Sequence, residues 1–325
     1  MIRTLGHARL KTGERVRIAA LIAPAGRYAK PIRQFVAHKG QPWMLHVDLA
    51  NQGQTDELRT TYTIGLLGGQ IVGNVMIVDD GRVGILGHVF TRPDQRRKGI
   101  CQHLMAAAMD AFQAAGGRIL TLGTGYESPA YWIYHGFGFR SVEPGRGDMV
   151  FEAEPGEVAR HFAPARGRVA DACWQHWPGI SLLYLQAAGD RVRSAAYGVF
   201  GPAGFEGGFL TLQAQRERVA AQLKVLLAPT GAVAGAAILQ RDTRWPAPVH
   251  ILDVFVHPAF GGEEARLLRS LRLPRPGKVQ AYLDHPSASR AAALREAGFR
   301  REATLRGQLV APNRPLDVAI FALRT

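Results

Sequence analysis

The sequence predicts an α/β (α+β) chain of two similar domains, each a mixed, mostly antiparallel twisted sheet flanked by helices. Three observations predict it. An apolar, β-branched run over 83–91 is followed by a basic loop and an amphipathic helix, the order of one α/β unit. The same succession of hairpin, strand, loop and helix returns in the second half of the chain. Finally, 325 residues with 47% apolar content exceed what one core of ordinary size needs. The expected domains are residues 1–154 and 155–325.

The elements follow in order. Residues 16–22 read as a first strand, stopped by Pro24. Basic residues up to Arg17 and the apolar run after them also imitate a signal peptide. The strand is preferred, because a similar segment recurs in mid-chain, where no signal can lie. Residues 28–39 carry helical spacing at Tyr28, Ile32, Phe35 and Val36 and end at Gly40. Residues 42–50 form a second short helical pattern, and 52–58 are polar loop. Strands over 61–67 and 71–78 flank the turn Gly68-Gly69-Gln70, and Asp79-Asp80-Gly81-Arg82 turns into the central strand. Pro93 ends that strand, since proline has no N–H for a ladder. A helix from Gly99 shows apolar positions at Ile100, Leu104, Met105 and Ala108 and closes near 114–117. Residues 119–122 are the next strand, and 140–154 supply the last ones.

Loop 94–99, Asp-Gln-Arg-Arg-Lys-Gly, collects free backbone N–H groups, a helix start and three cations, which suits a pyrophosphate. Arg96-Arg97-Lys98-Gly99-Ile100-Cys101 resembles the Arg/Gln-x-x-Gly-x-Gly/Ala loop of the GCN5-related N-acetyltransferases (GNAT), with Cys101 where that family has Gly or Ala. A second signature follows one helix and one strand later. Glu127-Ser128-Pro129-Ala130-Tyr131-Trp132-Ile133-Tyr134-His135-Gly136-Phe137-Gly138-Phe139 is similar to Asn-x-x-Ala-x-x-x-Tyr-x-x-x-Gly-Phe, with Glu127 in the Asn slot. Its Tyr-x-x-Phe-Gly-Phe ending is similar to the tandem members that acetylate aminoglycosides. The likeness covers residues 13–152.

The resemblance implies an N-acetyltransferase that moves the acetyl group of acetyl-CoA directly to a primary amine of a small molecule or peptide. It assigns the pyrophosphate to Arg96, Arg97, Lys98, Gly99, Ile100 and Cys101, and the pantetheine to the backbone of Val89, Phe90 and Thr91. Tyr134 takes the place of the general acid. Ile85 aligns with the family's carboxylate base, so the base is open: His88 and Glu127 are candidates, Asp79 and Asp80 weaker ones, and none is needed if the amine arrives neutral. Cys101, at a helix start where thiol pKa values fall, is read as a small residue in a crowded loop and not as a nucleophile. Tyr131, Trp132 and Phe137 read as core.

Four stretches of the second half repeat the first. Residues 226–238 repeat the hairpin 66–76, 253–258 repeat 88–93, 290–299 repeat 130–139, and 156–164 repeat 13–24. The copy lacks the chemistry: Gly261-Gly262-Glu263-Glu264 replaces the cationic loop and Leu294 replaces Tyr134. Residues 187–218 have no counterpart and read as a long loop or inserted hairpin. A degenerate GNAT-like domain over 155–325 would brace the first or wall its cleft.

Composition narrows the class. Two distant cysteines offer neither a disulfide framework nor a metal cluster, which suits a cytoplasmic protein without a metal. No apolar run is long enough for a membrane span. The net charge of +14 invites a nucleic-acid partner, yet Arg outnumbers Lys 34 to 6 with no lysine-rich run. Residues 1–154 carry 18 basic and 13 acidic groups and residues 155–325 carry 22 and 13, so the more basic half is the one without the loop. The rival class is therefore a non-catalytic acyl-CoA-binding module whose basic second half contacts an acidic partner or RNA.

Overall fold

A computed structural model describes residues 2–284, 287–311 and 314–325. Contacts divide the chain into two compact units, Met1–Glu157 with Cys173–Gly179, and Val158–Ala172 with Ile180–Thr325. The division falls near the expected 154/155 step, but the stretch 173–179 returns to the first unit. Its tryptophans explain why: Trp177 is fully buried, with its ring 5.0 Å from that of His46. An apolar side chain of that size goes where a core accepts it, whatever the linear boundary.

The first unit runs β1 (Ile2–Arg9), β2 (Arg15–Ile22), α1 (Ala29–Val36), α2 (Trp43–Asn51), β3 (Arg59–Leu67), β4 (Gln70–Asp79), β5 (Val83–Thr91), α3 (Ile100–Ala114), β6 (Ile119–Gly123), α4 (Pro129–Gly136), β7 (Arg140–Ser141) and β8 (Asp148–Glu152). Its sheet has eight strands in the order β1-β2-β3-β4-β5-β6-β8-β7. All pairings are antiparallel except β5 with β6. The edge strand β1 was not expected from the sequence. Arg3, His7 and Arg9 are exposed along it, so its apolar alternation is too weak to read.

Helix α3 covers one face of this sheet. Ile100, Leu104, Met105, Ala108 and Phe112, spaced by three to four residues, join Val72, Val75, Ile77 and Leu86 in the core. Each large side chain buried there contributes roughly 1.5–3 kcal/mol. The approach is close: a Cβ on Gly73 would stand 2.9 Å from side-chain carbons of Ile100 and Leu104. Helices α1 and α2 flank the opposite face.

The second unit contains α5 (Glu157–His161) from Val158 on, β9 (Arg168–Asp171), the later part of α6 (Trp177–Tyr184), β10 (Val192–Ser194), β11 (Val199–Phe200), α7 (Glu206–Gln215), β12 (Gln222–Leu227), β13 (Val233–Arg241), β14 (Val249–Val256), α8 (Glu264–Arg269), β15 (Lys278–Asp284), α9 (Ala288–Glu296), β16 (Arg300–Ala311) and β17 (Arg314–Arg324). Its main sheet is ordered β16-β17-β15-β14-β13-β12-β9, with β14/β15 the one parallel pair among the described residues. Strands β9, β12, β13, β14, β15, β17 and β16 thus repeat the order and sense of β2, β3, β4, β5, β6, β8 and β7. Three of the four matched stretches fall on equivalent elements. The fourth does not: 156–164 includes the short helix α5, and the counterpart of β2 is β9 further on. The Gly-Glu start misled, because Gly13 and Gly156 both hold left-handed turns, φ +91° and +83°, whatever element follows. Residues 187–218 form the hairpin β10/β11, one of the two readings of this stretch, and then helix α7, which neither reading included. No helix among the described residues is long and apolar enough to cross a membrane.

Candidate active site

The site begins where β5 and β6 part. They pair in parallel only through Val83–Ile119, Gly84–Leu120 and Ile85–Thr121. Beyond this point β5 stays with β4, while β6 stays with β8. Arg92 N–H donates to the Val72 carbonyl of β4 at 3.0 Å. Ladder alternation therefore aims Phe90 at β4 too, and turns the N–H groups of Val89 and Thr91 into the gap. Arg96 Nε reaches the Thr91 carbonyl there at 3.2 Å.

The loop after β5 closes one end of the gap. Arg97 and Gly99 hold φ of +63° and +92°, and α3 starts at Ile100. A left-handed arginine is uncommon and costs free energy, which surrounding structure sustains at functional turns. The result is a concave row of backbone donors: N–H groups from Arg97 to Gln102 have no acceptor among the described residues. Around them opens a cavity of about 630 Å³, lined by Val89, Phe90, Thr91, Arg96, Arg97 and Cys101 among others, with Ala130 and Ile133 of α4 opposite. Lys98 is turned elsewhere. Its ammonium meets Glu14 at 3.3 Å and the Gln95 amide oxygen at 2.9 Å, so Arg96 and Arg97 carry the free charge. A second hollow of about 340 Å³ between α3 and the sheet is mostly apolar and has the Arg59–Asp79 ion pair at its wall, a poor match for phosphates.

None of the proposed catalytic side chains, Tyr134, His88 and Glu127, is on the wall of this cavity. Tyr134 lies on α4, one turn beyond Ala130, almost fully buried in the α3 core. Burial, with Cys101 nearby, pushes its phenol above the ordinary value, so it is protonated throughout the neutral range. The Cys101 thiol is also raised by burial, opposite to the helix-start expectation. His88 stands at the irregularity of the β4/β5 ladder with φ +49°, its carbonyl bonded by Asn74 Nδ2 at 2.9 Å. Burial, then Lys39 and His38, lower its pKa to about 4, so the ring is neutral. Glu127 is exposed on the loop before α4 and is absent from the cavity wall. Asp79 is held by Arg59 at 2.6 Å, and Asp80 accepts the N–H groups of Arg82 and Val83, so both serve the turn. Ile85 is buried core. Of the aromatic trio, Tyr131 is core, bonding Ser141 at 3.0 Å, while Trp132 is exposed.

Sequence reading did not find the α1–α2 side of the site. Phe35 and His38 pack on the Phe90 ring at 5.3 and 4.1 Å, and Trp43 stands 6.1 Å from His88. Only their spacing on two helical patterns was visible, and that spacing serves a core equally well.

The equivalent gap of the second unit is filled by its own chain. β14 and β15 part after Leu252–Ala281. There Asp253 accepts Ser194 Oγ at 2.6 Å and Ala195 N–H at 2.8 Å, Asp284 accepts Val192 N–H at 2.6 Å, and Arg290 donates to the carbonyls of Val192 and Val254 at 2.7 and 2.9 Å. Strand β10 thus lies where the first unit has an open groove. At the start of α8 the buried Glu264 carboxylate accepts Gly262 N–H at 2.8 Å, an internal anion in the place of an external one.

Residues 31–139 match the acetyltransferase (GNAT) family model, a span that includes both signatures. No curated protein matches the chain. Among solved structures, it is similar to an N-acetyltransferase from Staphylococcus aureus Mu50, 16% identical over 49% of this chain and 99% of that one, TM-score 0.41. A phosphinothricin acetyltransferase from Sinorhizobium meliloti in complex with AcCoA is 20% identical over 49% and 89%, TM-score 0.41. A ribosomal-protein-alanine N-acetyltransferase from Brucella melitensis is 19% identical over 49% and 99%, TM-score 0.41.

Proposed function

We propose that the first unit is an acetyl-CoA-dependent N-acetyltransferase and that the second is its degenerate copy. One observation carries the reading: the parted β5/β6 strands open into the same cavity as a row of N–H groups without an acceptor and two arginines without an ion-pair partner among the described residues. The residues fit the cofactor. A pyrophosphate matches the loop donors with Arg96 and Arg97, and an amide-bearing arm matches the bare N–H groups of Val89 and Thr91.

Bound acetyl-CoA supplies a thioester and a thiolate leaving group. Val89 N–H would donate to the carbonyl oxygen as negative charge grows there. The Tyr134 hydroxyl would give its proton to the departing sulfur, and neutral His88, or water beside it, would take the proton that the amine sheds. The carbon–sulfur bond breaks as the carbon–nitrogen bond forms, with one proton released and one delivered.

Thiol release from acetyl-CoA with a panel of amines tests the activity, and calorimetry tests the duplicate. One acetyl-CoA per chain is expected, because β10 and Glu264 occupy the second unit's groove. Binding without amine-dependent thiol release would leave only a binding module. Two equivalent sites would remove the degenerate copy.

A further inference from the structure

We propose that Lys11, on the turn between β1 and β2, reads the 3′-phosphate of coenzyme A and sets the preference of the site for acetyl-CoA over its 3′-dephospho form. The inference deepens the acetyl-transfer reading above and rests on it.

The turn is fixed against the phosphate loop. Leu10 is buried in the α3 core, and its N–H donates to the Glu14 carbonyl at 2.8 Å. Gly13, at φ +91°, returns its N–H to the Leu10 carbonyl at 2.9 Å. Between them, Lys11 N–H donates to the Lys98 carbonyl at 3.2 Å. That bond ties the turn to loop 94–99 itself and not to the parted strands β5 and β6. Lys11 is thereby set on the wall of the cavity of about 630 Å³, together with Arg97 and Gly99 of the loop.

Charges on the turn are already sorted. Its one carboxylate, Glu14, is taken: Lys98 reaches it at 3.3 Å, and the Thr12 hydroxyl donates to it as well. Asp94, the carboxylate of the loop, is held by Arg92 at 2.7 Å. Lys11 is exposed, and its ammonium has no partner among the described residues. No carboxylate among those residues lines the cavity. The turn therefore holds Lys98 off the wall and puts Lys11 on it.

The balance of charge then assigns the partner. Three cationic side chains line the cavity, Lys11, Arg96 and Arg97. Coenzyme A carries a pyrophosphate and a separate phosphate on its ribose. The backbone N–H row with Arg96 and Arg97 fits the pyrophosphate. Lys11, outside the loop but bonded to it, is left for the ribose phosphate. A phosphomonoester carries about −1.5 to −2 charge near neutral pH. A lysine ammonium meets it as a compact point charge.

The test is calorimetry on the full chain with acetyl-CoA and acetyl-3′-dephospho-CoA. The parent should bind acetyl-CoA about fivefold more tightly, the upper range for an exposed ion pair. Lys11→Ala keeps the backbone N–H that holds the turn, so the dephospho form should bind as it does to the parent. The same variant should lose most of its advantage for acetyl-CoA, leaving a ratio below about twofold. Arg15→Ala removes an equal charge from an exposed position of the same hairpin that is not on this wall, and should leave the ratio unchanged. The preference should shrink as salt rises. A parent that binds both forms equally would overturn the inference and leave the acetyl-transfer reading standing. An unchanged ratio in Lys11→Ala, or equal weakening of both forms, would overturn it too. So would an equal fall in Arg15→Ala, since net charge and not position would then set the preference. A parent that binds neither form would instead sink the acetyl-transfer reading.

Discussion

Arg97→Glu is expected to weaken acetyl-CoA binding at least tenfold, about 1.4 kcal/mol. Arg97 lines the cavity and has no ion-pair partner among the described residues. Its replacement puts a carboxylate beside the N–H row that would hold a pyrophosphate. Both side chains carry a Cβ, so the left-handed backbone at φ +63° is strained equally in parent and variant. The change therefore reads charge and not conformation. Lys98→Ala should cost less, since Glu14 already neutralises that ammonium. Glu263→Ala in the second unit, where Glu263 is paired with Arg266, should leave binding unchanged. Because the term is electrostatic and partly exposed, the Arg97 effect should shrink as salt rises. Equal losses from Arg97→Glu and Glu263→Ala would overturn the choice of the first unit as the binding one.

Much of the fold was legible because its signals are local. The run 83–91 coincides with β5, Pro93 and Gly99 punctuate as expected, and the apolar spacing from Ile100 marks α3. The repeat was legible for the same reason wherever hairpin and strand–loop–helix units carry turn residues at fixed offsets. What escaped depends on partners distant in sequence. β1 is an exposed edge whose charges conceal its alternation, and Trp174 and Trp177 join the first unit only because α2 offers His46 to pack on. The site divides along the same line. Backbone donors of the loop follow from motif and spacing. The raised Cys101 thiol, the lowered His88 ring and the capture of Lys98 by Glu14 arise from burial and from pairs up to 84 residues apart. Glu127 shows the converse: a motif slot names a position, but its side chain is exposed and absent from the cavity wall.

Tyr134→Phe is expected to lower kcat by about 10² to 10⁴-fold, the usual worth of a positioned acid. The substitution removes one hydroxyl and keeps the ring that packs 6.2 Å from Phe139, so the α4 core should survive. Burial raises the phenol, which keeps the proton available at neutral pH but makes it a weak acid at rest. Such a group helps only as negative charge collects on the departing sulfur, a species basic enough to take the proton. The loss should therefore fall on kcat, while the dissociation constant of acetyl-CoA, set mainly by the loop around Arg97, moves little. The pH profile gives an independent reading. In the parent, kcat should not fall between pH 7 and 9, since a phenol raised above its ordinary value stays protonated there. A tyrosine with an ordinary pKa would begin to lose its proton near pH 9. Steady-state kinetics beside equilibrium cofactor binding separates the cases. A Phe variant within twofold of the parent in kcat would make Tyr134 a packing residue and return the proton donor to water.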